Sequence, residues 1–450
     1  MLNRNLQALS ILLIAASCGT VEPIDADTDG GNPAVAPVIA SVTPANGPLE
    51  GGNDITLSGE NFTVGLTVVM NGREVVDALV PDGNTITFQA PSATTAGELA
   101  DILVYGDTGF GRIEAAYTYN AGPTIALVAP AFGPLSGGAP IEIRGSGFLE
   151  NNAGTPTVRI GDLEATNVQV VDDTTLTATS PSAAPDIVAL PQDVVVENDN
   201  GTAATDDSFV FVRPGLLLAT RKNEFGTPLG ISFFDIPTKR LVQLAALDSG
   251  VARMEFVPGN GLIMRLNRIG AIGGNGPRMW RRVDLQTGAI SDLGPVRVGQ
   301  NAQTMRPVAF VGGQLRGLNS SRQFGSIDLN AMSFNGVGPT AGNPFRGCLA
   351  ANGANSVFHL DGANEELSTF IASTGIVTAG PPISGLPAGG DLRCHGATNA
   401  AGTLFAVFID RSFSEQPASL YRINTATGVA TLEADLGNGY GALTATPTGF

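Results

Sequence analysis

Between residues 37 and 213, apolar and polar residues alternate in short runs that glycine and proline interrupt at regular places. Thr67-Val68-Val69-Met70, Thr85-Ile86-Thr87-Phe88, Ile102-Leu103-Val104-Tyr105 and Tyr117-Thr118-Tyr119 are answered later by Thr157-Val158-Arg159-Ile160, Thr175-Leu176-Thr177-Ala178, Val194-Val195-Val196-Glu197 and Phe209-Val210-Phe211. A period of two turns one face of each run to a core and the other to water, which predicts short antiparallel strands stacked as a sandwich. The punctuation is also written twice. Pro37, Ile39, Pro44, Gly47-Pro48, Gly51-Gly52, Ile55, Gly59 and Phe62 return as Pro123, Ile125, Pro130, Gly133-Pro134, Gly137-Gly138, Ile141, Gly145 and Phe148, every pair offset by 86 without a gap. Such a repeat predicts one small domain duplicated in tandem. Gly59 and Gly145 are expected at tight backbone bends, and Phe62 and Phe148 as plugs of the two cores.

From Gly215 onward a looser repeat of two phrases takes over. One is strand, Gly/Asn turn, strand: Met254 to Ile263, Pro307 to Leu315, Cys348 to Phe358, Cys394 to Phe405, and a last copy from Ala442 to Phe450. The other is a turn of the type apolar-Asp-x-x-Thr-Gly, at Phe234 to Thr238, Val283 to Gly288, Ile327 to Ala331, Ile371 to Gly375 and Ile423 to Gly428. Within it Thr238, Thr287, Ala331, Thr374 and Thr427 are 49, 44, 43 and 53 residues apart, the spacing of propeller blades. The Asp bonds its own backbone and the Gly takes a left-handed conformation, so the motif is turn chemistry. Because the second phrase opens the region and the first phrase ends it, the final strand is expected to complete the sheet begun by residues 215–247, giving five four-stranded blades without an exposed edge. Six blades and an irregular ring are the competing counts.

The doubled pattern Pro-x-x-Gly-Pro-x-x-Gly-Gly, followed by apolar-x-apolar-x-Gly-x-x-Phe, closely resembles the IPT/TIG family of immunoglobulin-like domains over about residues 37–213. The C-terminal phrases resemble bacterial propellers built from a repeated strand, Asp-x-x-Thr-Gly turn, strand unit. The fold class expected is therefore all-β: two immunoglobulin-like sandwiches, at 37–120 and 121–213, followed by a β-propeller domain at 214–450. The DNA-binding members of the IPT/TIG family need basic loops, and these loops carry Glu50, Asp54, Asp82, Asp107, Asp172, Asp173, Asp199, Asp206 and Asp207.

Composition agrees with many turns and few helices: 58 Gly, 29 Pro and only 14% charged residues among 450. The net charge of -17 is unevenly spread, with 6 Lys+Arg against 26 Asp+Glu in residues 1–213, and 18 against 15 thereafter. An acidic half of this kind repels phosphate backbones, so no nucleic-acid partner is expected. Met1 to Ser17 reads as a secretion signal, with Arg4 as its positive start and Leu9 to Ile14 as an apolar core too short to span a bilayer. The small residues before Cys18 resemble a bacterial lipobox, which implies lipid attachment at Cys18 and a membrane partner through that anchor. Gly19, where an Asp would signal inner-membrane retention, directs the expectation to the outer membrane, facing either the periplasm or the cell surface. Residues 18–36 form a flexible acidic tether. Asp25, Asp27, Asp29 and Gly30 open like a calcium loop, but Ala36 stands at the twelfth position where a bidentate Glu belongs, so the stretch reads as a solvated spacer.

Little in the chain suggests catalysis. Only His359 and His395 occur, on different repeats, and no HExxH, CxxC, G-x-S-x-G or phosphate loop is present. No catalytic residue, metal site or cofactor is assigned. Cys348 and Cys394 sit at matching places in neighbouring repeats, and a disulfide between them is expected, with two buried thiols as the other reading. Arg278, Arg281 and Arg282 flank Trp280, the single Trp, and could grip an acidic glycan by charge and stacking; strand residues alternating toward solvent give the same pattern. The function expected is a non-catalytic, lipid-anchored envelope protein for binding, adhesion or scaffolding, with the sandwiches as spacers and the propeller as the head that binds a glycan or an envelope protein. The alternative is a carbohydrate-active enzyme with its site in the propeller channel.

Overall fold

The computed structural model describes residues 35–220, 229–247, 249–266, 279–284, 289–305, 307–340, 347–388, 391–413 and 417–446. Cys18, the acidic tether up to residue 34 and Arg278 lie outside these residues. Among the described residues the chain is all-β, apart from a single 3-10 turn at Pro185–Ile187.

The two repeated segments fold alike, strand for strand. In the first, Val38–Thr43, Asp54–Glu60, Thr85–Gln89 and Leu79–Asp82 make one antiparallel sheet in that spatial order. Asn46–Pro48, Gly109–Asn120, Leu99–Gly106, Thr67–Met70 and Arg73–Glu74 make the sheet that faces it. The second segment repeats both orders with Thr124–Ala129, Pro140–Ser146, Thr175–Thr179 and Thr166–Asp172, and with Phe132–Pro134, Gly201–Val212, Pro191–Asn198, Thr157–Ile160 and Leu163–Glu164. Alternation along these strands sends Ile55, Leu57, Ile86, Ile102, Val104, Tyr117 and Tyr119 into one core and Ile141, Ile143, Leu176, Val194, Val196, Phe209 and Phe211 into the other. In both cores the last strand contributes an edge-to-face aromatic pair, Tyr117 with Tyr119 at 5.0 Å and Phe209 with Phe211 at 5.2 Å.

Phe62 and Phe148 are buried as plugs, and the reason for the nearby glycines is closeness rather than a special dihedral. A Cβ on Gly59 would overlap the Val38 carbonyl oxygen and the Phe62 ring, and one on Gly145 would overlap the Thr124 carbonyl oxygen and the Phe148 ring. Both glycines lie opposite a bulge in the first strand of their sheet, where the backbone comes nearest.

Five sheets follow, antiparallel except for one parallel contact of Arg297 with Ser333. Val251–Val257 leads the strands 261–266, 280–283 and 290–294; Val308–Val311 leads 314–318, 323–328 and 333–340; Cys348–Asn352 leads 356–361, 366–371 and 377–382; Leu392–Ala400 leads 403–410, 417–423 and 430–438. The remaining sheet is composite. Tyr440–Ala445 pairs with Leu216–Thr220, which continues to Gly230–Asp235 and Arg240–Ala246. One sheet departs from the four-stranded pattern, because the short hairpin Arg297–Val298 and Asn301–Ala302 adds two strands beside Ser333–Thr340. The turn phrases behave as their chemistry requires: the Asp328 carboxylate accepts the N–H groups of Asn330 and Ala331, and Asn424 Oδ1 those of Ala426 and Thr427.

The second sandwich and the composite sheet share a core. Val188, Ala189, Val210 and Val212 of the sandwich pack in one cluster with Leu217, Ala219, Ile231, Phe233, Val251 and Met254. Arg213, the residue after the sandwich's last strand, grips Asp235 with a two-pronged ion pair, both bonds 2.8 Å. Arg240 donates to the carbonyls of Asp186 and Val188 in return. Burial alone would raise the Asp235 carboxyl, but hydrogen bonds from Arg213 and Thr238 outweigh it and hold the group below the ordinary carboxylate range.

Two outcomes are expected. Gly145→Ala should lose about 1–3 kcal/mol in urea unfolding through overpacking, and Gly59→Ala a similar amount; midpoints equal to the parent's would refute the close-approach account. Arg213→Ala strands a fully buried carboxylate and should cost about 3–5 kcal/mol, part of it recovered on acidification through the Asp235 folded-state pKa, where the carboxylate's contribution is lost from the parent as well.

Candidate functional site

The five leading strands converge on a common centre, where they touch one another by side chains rather than by backbone ladders. Tyr440–Ala445 packs beside both Val251–Val257 and Leu392–Ala400, Leu392–Ala400 beside Cys348–Asn352, Cys348–Asn352 beside Val308–Val311, and Val308–Val311 beside Val251–Val257. Edge N–H groups on these strands are met by side-chain oxygens of the neighbour: Phe256 N–H donates to Thr444 Oγ1 at 3.2 Å, Ala445 N–H to Thr398 Oγ1 at 3.0 Å, and Phe310 N–H to Glu255 Oε1 at 3.0 Å. Asn399 Nδ2 donates to the Ala351 carbonyl and Arg253 Nη1 to the His395 carbonyl. Cys348 and Cys394 are joined by a disulfide, with Cα atoms 5.5 Å apart, which ties two leading strands covalently.

The space enclosed by Arg253, Val308, Cys348, His395, Ala397 and Leu443 is about 10 Å³. That holds roughly one water molecule, and no sugar ring enters it. Two titratable groups nearby are tuned by the same dryness. Burial pushes the Glu255 carboxyl up to about 8 against the opposing hydrogen bond from Phe310, which favours its neutral form at pH 7. Burial likewise lowers His359 to about 4, despite the Asp361 charge, which leaves a neutral imidazole whose Nδ1 lies 3.3 Å from Ser368 Oγ. Among the described residues no cluster of three or more His, Cys, Asp or Glu side chains could hold a metal ion.

The Arg/Trp motif does not form one ligand-facing surface. Trp280 is fully buried with Val257, Ile263, Val296, Met305 and Leu315, so it offers no ring face to a ligand. Arg281 pairs with Asp292 at 2.7 Å, and Arg282 donates to Asn260 Oδ1 at 2.7 Å. The stacking grip expected from Arg278, Trp280, Arg281 and Arg282 is therefore replaced, for the three described residues, by a core indole flanked by two tethered guanidinium groups.

A roomier space lies elsewhere, on the sheet led by Leu392–Ala400. The turn at Gly402-Thr403 and the strands around Arg422, Thr425 and Thr431 border a polar cleft of about 530 Å³, within the size range of small-ligand sites. Arg422 is half-exposed and oriented by Glu433, Nε to Oε1 2.8 Å; Glu433 is largely buried and is bound from its other side by Lys239, which belongs to the composite sheet. Asn424 and Thr427, also in the lining, are engaged in the turn itself, which leaves Thr403, Arg422, Thr425 and Thr431 as the groups available to a ligand. Reading the sequence for turns alone missed this place; the signal was the density of Thr hydroxyls around the Asn424 turn.

The N-terminal architecture has counterparts among known proteins. The IPT/TIG domain model matches residues 37–119 and 123–211. The N-terminal half carries two IPT/TIG domains. Human Plexin-A3 is 27% identical over 150 residues, 33% of this chain and 8% of the plexin. Human Fibrocystin-L is 29% identical over 114 residues, 25% of this chain and 3% of that protein. The chain thus spans less than a tenth of the length of these relatives. Among solved structures, the Plexin A4 extracellular region aligns with 41% of this chain and 19% of its own, at 23% identity and a TM-score of 0.30. An auxiliary nutrient binding protein from Bacteroides ovatus aligns with 89% of this chain and 86% of its own, at 12% identity and a TM-score of 0.30. SGBP-B from a complex xyloglucan utilization locus in Bacteroides uniformis aligns with 92% and 95%, at 15% identity and a TM-score of 0.21. At these TM-scores the three likenesses carry no argument about function. Among the described residues no helix is long and apolar enough to cross a membrane.

The buried Glu255 generates a pH signature. Its folded-state pKa of about 8 lies above the ordinary 4.5, so the folded state binds the proton more tightly and stability falls as pH rises through that interval, then levels. Glu255→Gln keeps an acceptor for the Phe310 N–H and should flatten this slope, leaving the variant on the order of a few kcal/mol more stable than the parent at pH 9. Superimposable stability-versus-pH curves would show that Glu255 is not its origin.

Proposed function

We propose that this protein is a non-catalytic binding protein of the bacterial outer membrane, lipid-anchored at Cys18, whose two IPT/TIG domains carry a five-bladed propeller as the ligand-binding head. The observation that supports this most directly is the contrast between two spaces lined by described residues of the C-terminal half: a centre with room for about one water, and an open polar cleft of about 530 Å³ on one sheet. A centre of that size argues against a substrate channel and for recognition at the periphery. In this reading the five sheets are the blades and the Tyr440–Ala445 strand fastens the last to the first. Domain limits at residues 37–120, 121–213 and 214–450 are part of the same proposal.

The cleft favours a hydroxyl-rich ligand. Thr403, Thr425 and Thr431 each offer a donor and two acceptor sites, and the oriented Arg422 fork adds charge-assisted donors. These are the groups that recognise the hydroxyls of a glycan of the envelope or its surroundings, and they lie next to the Lys239–Glu433–Arg422 bridge that fixes the cleft to the composite sheet. The acidic first half, with 26 Asp+Glu against 6 Lys+Arg, speaks against nucleic acid as the partner.

Electrophoresis of the full chain through native gels containing xyloglucan, galactomannan or glycogen tests this reading, with an assay of new reducing ends in parallel. Retarded migration in at least one gel, no new reducing ends, and roughly tenfold weaker retardation for Arg422→Ala, as the loss of a charged hydrogen-bonding group predicts, are expected. Release of reducing ends would sink the non-catalytic reading, and retardation that ignores Arg422→Ala would remove the cleft from it.

A further inference from the structure

The duplicated sandwiches supply an internal control that no single domain could. On the outward face of the sheet containing Leu99–Gly106, one row across three strands reads Thr67, Tyr105 and Phe110, because Thr67 pairs with Tyr105 and Tyr105 with Phe110. The corresponding row of the second sandwich reads Thr157, Glu197 and Thr202, from the pairs Thr157 with Glu197 and Glu197 with Thr202. The next outward row reads Val69, Leu103 and Arg112 in the first and Arg159, Val195 and Ala204 in the second. The registers are equivalent, since the bulge carboxylates Asp101 and Asp193 occupy the same place and accept the N–H groups of Ala115 and Asp207. The fold is thus satisfied by Glu and Thr where the first sandwich exposes 42% of Tyr105 and 67% of Phe110. Packing does not account for the two rings.

We infer that the Tyr105–Phe110 face of the first sandwich is a platform for an uncharged oligosaccharide, separate from the cleft of the C-terminal half. Three considerations select this occupant. Two outward rows, about 7 Å apart on strands spaced about 4.8 Å, cover on the order of 200 Å². That falls well below the roughly 800 Å² per partner of a stable protein interface and matches one or two pyranose rings. The domain carries 10 Asp+Glu against 2 Lys+Arg over residues 37–120, so nucleic acid, anionic lipid and acidic glycans are repelled. The chemistry is also divided as a sugar requires. The rings present flat apolar faces for the C–H face of a pyranose, and in the adjoining row the Arg112 guanidinium, held between Asp101 and Glu114, puts hydrogen-bonding groups level with the hydroxyls at its rim.

The test uses the full chain with xyloglucan, galactomannan and glycogen as neutral probes and polygalacturonate as the anionic one. Tyr105→Glu with Phe110→Thr installs the residues the second sandwich already tolerates, and is expected to weaken retention on a neutral probe at least tenfold, while Glu197→Ala with Thr202→Ala and Arg422→Ala leave the platform's share intact. Hydroxyl-radical footprinting of the unmutated chain, which does not depend on any variant folding, should show Tyr105 and Phe110 protected by the retained polysaccharide. Retention unaffected by the platform variant, no retention by any neutral probe, preference for polygalacturonate, or a dimer in sedimentation that the platform variant dissolves would each overturn the inference. Loss with Arg422→Ala alone would uphold the cleft and overturn the platform; loss with the platform variant alone would do the reverse.

Discussion

Leu216–Thr220 and Tyr440–Ala445 stand at opposite ends of the C-terminal half and share one antiparallel ladder, and the arrangement of the five sheets depends on that contact. Tyr440–Ala445 gives the composite sheet its fourth strand and at the same time fills the place between Val251–Val257 and Leu392–Ala400. Leu216, Leu218 and Leu443 are all buried in a cluster with Phe405, Val407 and Leu420 of the neighbouring sheet, so separating the two ends would expose the side of two sheets at once. The entropy of closing so long a loop grows only with the logarithm of its length, whereas the ladder and the apolar cluster gain with each residue added.

What that contact assembles is a centre held by side chains. Leading strands cannot hydrogen-bond to one another by backbone when each belongs to a different sheet, and a bare edge buried at the centre would strand N–H groups in a dry interior. Thr444, Thr398 and Glu255 answer for Phe256, Ala445 and Phe310. Small residues make this possible: a Cβ on Gly396 would lie 2.7 Å from that of Leu443, so the two strands approach as closely as they do because one of them has no side chain there. The same close approach leaves only about 10 Å³ among Arg253, Val308, Cys348, His395 and Leu443. The neutral state of Glu255 is a by-product of the dryness that the packing creates.

Much of this was legible beforehand because it is carried by local rules. Gly and Pro at an offset of 86 announced the doubled sandwich, since turn chemistry is set within a few residues, and the Asp-x-x-Thr-Gly phrase marked the hairpins of the later sheets for the same reason. The sense in which Trp280 would face was not legible: alternation says that Trp280 and Arg281 point to opposite sides, but which side is the core is decided by Val257, Ile263 and Met305, which come from other segments of the chain. Nor did the sequence reveal that the strand Gly201–Val212 serves two cores, Phe209 and Phe211 that of its own sandwich and Val210 and Val212 the one shared with the sheets beyond, because such a strand looks like any other apolar run. The exposed rings of the first sandwich were hidden differently. Tyr105 and Phe110 look like ordinary strand residues until the register places them side by side on the solvent face, beside a twin that has Glu and Thr.

The two joints of the molecule differ in kind, and the difference bears on how the protein presents its surfaces. Between the sandwiches the hydrogen bonds are polar side-chain contacts: Asn120 Nδ2 donates to the Asn151 carbonyl and to Asn200 Oδ1, each at 2.8 Å. Each sandwich keeps its own apolar core, with no cluster spanning the pair. Between the second sandwich and the sheets the contact is an apolar cluster fastened by the Arg213–Asp235 fork and by Arg240. Polar contacts exchange readily with water, at about 1 kcal/mol each, while opening a shared core exposes buried apolar side chains of both parts together. Bending should therefore concentrate at residues 120–123 rather than at 213–215, so that the second sandwich and the five sheets move as one body. A surface on the first sandwich and a cleft on the last sheet would then sit on opposite sides of the compliant joint, free to adjust to one extended ligand or to two separate ones without straining either core.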